Sequence, residues 1–221
     1  ILETSLEAYL ITDQRNEELN TYSVTKIGTQ YWMAENLAYL PSVNMVADGS
    51  EDAAGSYYYV YGYDGTNVAD AKATDNYATY GVLYNWTAAM NGEASSTTNP
   101  SGIQGVCPAG WHLPSDAEWT ELTDCLGGEG VAGGKLKETG TTHWNTPNTG
   151  ATNETGFTAL PGGYRGNDGN FYLIGSFGLW WSATELGATD AWGRGMLDFD
   201  SGVYRGLDNK EVGYSVRCVR D

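Results

Sequence analysis

Glycine interrupts this chain about twice as often as it does an average protein: it supplies 30 of the 221 residues. A sequence so punctuated is confined to short strands joined by many turns. Its rings are 16 tyrosines and 8 tryptophans against only 4 phenylalanines. Aromatics with a polar tip sit well near surfaces, and only 18% of the chain is charged. The pattern suits an extracellular binding or structural protein better than a cytosolic enzyme. No Ser/Pro-rich tract or charge block divides the chain, so one domain is expected.

The net charge is −17, with 11 Lys and Arg. Nucleic-acid binding rests on neutralising phosphates, so this balance argues against it and against anionic membranes. The acidity reads mainly as solubility, with carboxylates gathered on a structural Ca²⁺ left open. No cofactor is otherwise expected. No apolar run approaches the length of a membrane span. The chain does not start with Met, which reads as a mature or trimmed form whose leader or lipid anchor is out of view.

Residues 1–21 read as an N-terminal arm or short helix, and 22–221 as the domain. "TYSVTKIGTQYWMAENL" reads as a hairpin turning near Gly28-Thr29. Residues 41–80 are loop-like. "YGVLYNWTAAMNG" spaces Leu83, Trp86 and Met90 for a helix of about ten residues, stopped by Asn91-Gly92. In "CPAGWHLPSDAEWTELTDCLGG", Ser115 and Glu118 form a capping box. Trp119, Leu122 and Leu126 make a stripe, and Gly127-Gly128 end the helix. Cys125 lies near that stripe and reads as a small buried thiol. Beyond residue 130 only strands are expected. "DAWGRGMLDFD" pairs with "GVYRGLDN" around Ser201-Gly202. The closing strand places Tyr214, Val216 and Cys218 on one face. The layout is α+β.

The blocks "GTQYWMAENL", "YGVLYNW", "GWHLPSDAEW", "GGKLKETGTTHWN", "GFTALPGGYR", "WWSAT" and "SVRCVRD" resemble the Fibrobacter succinogenes major paralogous domain, found in surface lipoproteins of gut bacteria. The likeness spans residues 22–221. "WHLPSDAEW" and "YSVRCV" are also similar to formylglycine-generating enzymes and, more distantly, to C-type lectins. That resemblance implies a C-type-lectin-like fold of two helices, short twisted antiparallel strands and Gly-rich loops. It also implies a Cys107–Cys218 disulfide with Cys125 free, and hence an oxidising compartment. The catalytic cysteine pair of the formylglycine-generating enzymes has no counterpart in "WGRGMLDFDSGVYRGLDNKEVG", so the likeness covers the scaffold and not the chemistry.

Enzymatic motifs are missing. There is no G-x-S-x-G elbow, no P-loop and no EF-hand pattern. His112 reads as a packed, hydrogen-bonded residue, and His143 as a loop contact. Asp198 and Asp200, one apart on an expected strand, read as solvated; Ca²⁺ binding or glycoside hydrolysis are the alternatives. What stands out is residues 192–208. Trp192, Arg194, Met196, Asp198, Asp200, Tyr204, Arg205, Leu207 and Asp208 are separated by glycines. Trp, Tyr and Arg dominate binding hot spots, and Tyr with Gly, Ser and Asp resembles paratope composition. In the C-type lectins this late region binds ligand. The ending is also similar to variable proteins diversified by retroelements. Every residue of "LDFDSGVYRGLDN" is reachable from an asparagine codon by changing adenines; Trp192, Met196, Lys210 and Glu211 nearby are not.

The expectation is therefore a non-enzymatic, receptor- or adhesin-like protein, secreted, lipid-anchored at a cell surface, or on a virion. These nine residues would contact a protein or glycan ligand. An enzyme on the formylglycine-generating scaffold, or a structural or adhesive surface subunit without a specific ligand, are the alternatives. Oligomeric state is not legible.

Overall fold

The computed structural model describes residues 9–15 and 18–221. It opens with β1 (Tyr9–Arg15), β2 (Glu18–Ile27) and β3 (Gln30–Met33). The β2–β3 turn is at Gly28, whose φ of 61° suits glycine, as the sequence indicates. β4 (Tyr58–Tyr59), α1 (Val68–Lys72), α2 (Asp75–Tyr80), β5 (Leu83–Tyr84) and α3 (Trp86–Met90) follow. Then come α4 (Asp116–Cys125), α5 (Glu129–Leu136), β6 (Tyr164–Arg165) and β7 (Phe171–Tyr172). β8 (Phe177–Leu186), β9 (Asp190–Leu197), β10 (Tyr204–Asn209) and β11 (Val219–Arg220) close the chain. The sheets run β1-β2-β3-β11, β10-β9-β8, β4-β5 and β6-β7.

The expected C-type-lectin-like arrangement of two helices and a simple set of strands is not what forms. The described residues hold five helices and four separate sheets. Three helices escape sequence reading for physical reasons. Asn67 and Thr74 cap α1 and α2, but α1 buries only Ala71 and α2 buries nothing, so neither has an apolar stripe. α5 has no side-chain cap and contains Gly130, Gly133 and Gly134. The helix expected over residues 83–90 is shorter, because Leu83–Tyr84 pair with β4 and Asn85 caps α3. Within the N-terminal arm, residues 9–15 form a strand paired with β2 rather than a helix. Residues 1–8 lie outside the described residues.

Among the described residues the core has two clusters. One gathers Trp86, Trp111, Trp181, Tyr84, Tyr214, Val216 and Cys218. The other gathers Trp32, Trp119, Trp144, Trp180, Phe157 and Met196. β8 serves both, since adjacent side chains on a strand point opposite ways: Trp180 enters one cluster and Trp181 the other. Tyr214, Val216 and Cys218 do share a core, and Val219 turns into the second. Cys107 and Cys218 are disulfide-bonded, as the resemblance implies.

Five of the eleven cationic side chains are buried: Lys137, Arg165, Arg194, Lys210 and Arg217. Arg217 donates to the carbonyls of Met33, Phe157 and Thr158 and to Asn36 Oδ1. Arg165 donates to the carbonyls of Val46, Asp48 and Glu211. In a Gly-rich chain with long irregular segments, buried donors of this kind satisfy loop carbonyls that no sheet can reach.

Candidate functional site

The sheet of β8, β9 and β10 carries the residues singled out in the sequence. β9 lies in the middle and β10 at the edge. Tyr204 stands opposite Gly195 and Gly206 opposite Gly193. On the other side of β9, Leu179 faces Gly195 and Trp181 faces Gly193. Paired residues share a face, so three glycines leave a bare floor on one side of the sheet.

That floor is the base of an open pocket of about 70 Å³, lined by Leu179, Gly193, Arg194, Gly195, Tyr204, Gly206, Asp208 and Tyr214. A Cβ at Gly195 would come 2.7 Å from Leu179 Cδ2, and one at Gly193 would come 3.3 Å from the Tyr214 ring. The pocket therefore depends on glycine at both positions. Arg194 contributes between the two glycines while its guanidinium is held by Asp116 on the opposite face. Tyr204 is 65% exposed and forms an outer wall. Asp208 is half-buried. Burial pushes its carboxyl above the usual range; a hydrogen bond from Tyr214 opposes this and the Asp190 carboxylate adds to it. Burial likewise holds the Tyr214 hydroxyl well above its ordinary value. Beyond Tyr214, rings continue outward: Tyr164 lies 6.1 Å from it and Tyr172 lies 5.4 Å from Tyr164.

The opposite face is an ion-pair platform. Asp116, the first residue of α4, sits within the Ser115–Glu118 capping box. It accepts Arg194 Nη1 at 2.7 Å and Arg205 Nε and Nη2 at 3.0 and 2.8 Å. Burial pushes the Asp116 carboxyl up, but the hydrogen bonds from Arg205 and Arg194 outweigh it and leave it lowered. The Arg205 guanidinium stacks 3.6 Å over the Trp192 ring. Leu207, opposite Trp192, is 40% exposed.

The β9–β10 turn is fastened from beneath. A Cβ at Gly133 would lie 2.0 Å from the Gly202 carbonyl oxygen, so α5 packs backbone against backbone on the turn. Lys137 Nζ donates to the carbonyls of Thr149, Leu197 and Asp200 at 3.0, 2.7 and 2.7 Å. Burial lowers its pKa to about 8, against the pull of Asp198 and Asp200. Asp198 accepts the Ser176 hydroxyl at 2.9 Å, and Asp200 Oδ1 accepts the Gly202 amide. Both aspartates lie beyond β9, in the turn, so they are not a pair on one strand face. The cation that gathers the turn's carbonyls is the Lys137 ammonium.

The nine expected contact residues are thus split. Tyr204 and Asp208 meet at the pocket, which Arg194 also lines. Trp192, Arg205 and Leu207 stand on the reverse face. Met196 is buried in the second core cluster, Arg194 and Asp198 are buried, and Asp200 is exposed within the turn. Leu179, Tyr214 and the three glycines are pocket residues that the sequence reading did not select. Their signal was present: G-x-G in "WGRGM" beside Gly206, on strands already expected to pair.

Elsewhere, His112 Nε2 lies 2.5 Å from Glu118 Oε1. With Asp221 they form a trio whose ligand atoms lie within 4.8 Å of one another. The other Glu118 oxygen accepts the amides of Ser101 and Ser115. His143 Nδ1 meets Glu138. Cys125 is free but exposed, not the buried thiol expected, because it occupies the outer side of the last turn of α4. Among the described residues, no helix is long and apolar enough to cross a membrane.

No curated protein and no solved structure matches the chain. The family model described as the Fibrobacter succinogenes major domain matches residues 25–220. The chain belongs to that family.

Proposed function

We propose that this protein is a non-enzymatic binding module of the cell exterior, and that its contact surface is the pocketed face of β9 and β10. One observation carries the reading. Three register-matched glycines hold open a concavity whose walls are an exposed tyrosine, a leucine, a buried tyrosine and a half-buried carboxylate. Glycine costs strand stability; Leu179 and Tyr214 crowd Gly195 and Gly193, whereas Gly206 meets no crowding from the fold, and the approach of another molecule explains it. The disulfide supports an oxidising, extracellular setting. The ligand is a protein or a glycan displayed at a surface. The retroelement reading adds that related gene copies differ within residues 192–212; copies that differ evenly along the chain count against it.

The experiment is an array of purified surface proteins and glycans probed with wild type, Tyr204→Ala and Arg205→Ala. Saturable capture is expected, lost by at least about tenfold in Tyr204→Ala and retained in Arg205→Ala, with little change in Tm for the former. Equal capture by Tyr204→Ala counts against the pocket.

A metal-dependent enzyme is the second reading, favoured by the trio of His112, Glu118 and Asp221. Stoichiometric Zn²⁺ binding, lost in His112→Ala, supports it. A structural or adhesive subunit is the reading left if wild type captures nothing and binds no metal.

A further inference from the structure

The pocket's dimensions and charge say what class of group it takes. At about 70 Å³ it is far below the several hundred Å³ that enclose a whole small molecule. It admits one functional group, and the rest of the ligand lies outside. Leu179, Tyr204 and Tyr214 give it apolar walls, suited to methylenes. Tyrosine faces also attract a cation.

Asp208 supplies the polar end. Asp13, Asp116 and Glu185 each meet a cation of the protein's own: Arg15, the Arg194–Arg205 pair and Lys210. Among the described residues no Lys or Arg lies against Asp208. Its polar neighbours are the Tyr214 hydroxyl and the Asp190 carboxylate, which leave its charge uncompensated. A cavity this small suits a point-charge ammonium on a slender stem better than a planar guanidinium fork. Oδ2 is the Asp208 atom that faces Gly206, 3.9 Å from where a Cβ would stand.

The surroundings name the carrier. β10 is an edge strand of six residues, with no strand paired on its outer side among the described residues. A strand laid along such an edge sends alternate side chains over the sheet, and Gly206 leaves a gap through which one can cross to the pocket. We infer that this site recognises a lysine side chain on an extended segment of a partner polypeptide, with the ammonium on Asp208, the methylenes between Leu179, Tyr204 and Tyr214, and the backbone along β10. This rests on the binding reading above.

The test is a titration followed through the amide NMR signals of Gly193, Gly195 and Gly206. The probes are acetylated, amidated Thr-Thr-Lys-Thr-Thr, its norleucine counterpart, and N-acetyl-lysine methylamide. The lysine peptide is expected to shift the three glycines saturably below about 10 mM. The norleucine peptide is expected to bind at least about tenfold more weakly, and Asp208→Asn to erase the difference. Equal shifts from both peptides, undiminished in Asp208→Asn, overturn the lysine assignment while leaving the pocket a binding site. Absence of any shift with the lysine peptide overturns it as well. The lysine derivative binding as tightly as the peptide overturns the strand-borne partner. The array experiment, which is indifferent to ligand charge, judges the binding reading separately.

Discussion

Asp208 lies in a pocket that does not neutralise it. Its carboxyl is raised above the usual value, first by burial, with Tyr214 opposing and Asp190 adding. A carboxyl whose pKa is higher folded than unfolded binds its proton more tightly in the folded state. Stability then falls as pH climbs from the unfolded pKa through the folded one, and the full penalty is present at neutrality. Asp208→Asn keeps the size of the side chain and removes the penalty. It is expected to be more stable than wild type at pH 7 in denaturant melts, with the gain vanishing as pH falls below about 4. A variant less stable at pH 7 would mean that the carboxylate serves the fold rather than a ligand. Gly206 makes the same point sterically. An added Cβ there meets only Asp208 Oδ2, at an ordinary 3.9 Å, so the fold does not require glycine at that position.

α5 fastens the turn before β10. Its residues Gly133 and Gly134 meet the backbone of Gly202 and Gly150 directly, and the Gly134 amide donates to the Ser201 carbonyl at 2.7 Å. Gly133→Ala must displace a backbone carbonyl, not a flexible side-chain tip. It is expected to cost about 3 kcal/mol or more, read from the urea midpoint, with fast hydrogen exchange at residues 198–203; a neutral result would refute this packing. The same helix marks where sequence reasoning stops. Ser115 and Glu118 announce α4 because a capping box is local. The β9–β10 pairing and the Gly28 turn are legible for the same reason. α5 is invisible because its glycines oppose helix propensity and are there for contacts with residues seventy positions away. Tyr204 and Asp208 were visible as contact types. That Trp192 and Arg205 face away from them follows from strand register, which the composition of the segment does not contain.

Across the whole molecule, cohesion comes from two aromatic cores, buried cations bonded to loop carbonyls, and one covalent clasp. The disulfide joins residues 111 apart. Closing so long a loop is worth about 4.7 kcal/mol in the chain-entropy account. A Cys107→Ala/Cys218→Ala variant is expected to lose stability of that order, with wild-type insensitivity to a mild reductant contradicting it only if the bond is shown to be cut. With five cations drawn inside, the exterior is more acidic than composition suggests, which favours a cationic partner. The central claim is that the glycine-floored face of β9 and β10 is where such a partner sits. Gly206→Val tests it most directly, because valine suits a strand and fills the pocket without a backbone clash. Measured by calorimetry and array binding together, the variant should keep or raise the wild-type Tm while capture falls by at least about tenfold. Wild-type capture with the pocket filled would contradict the account.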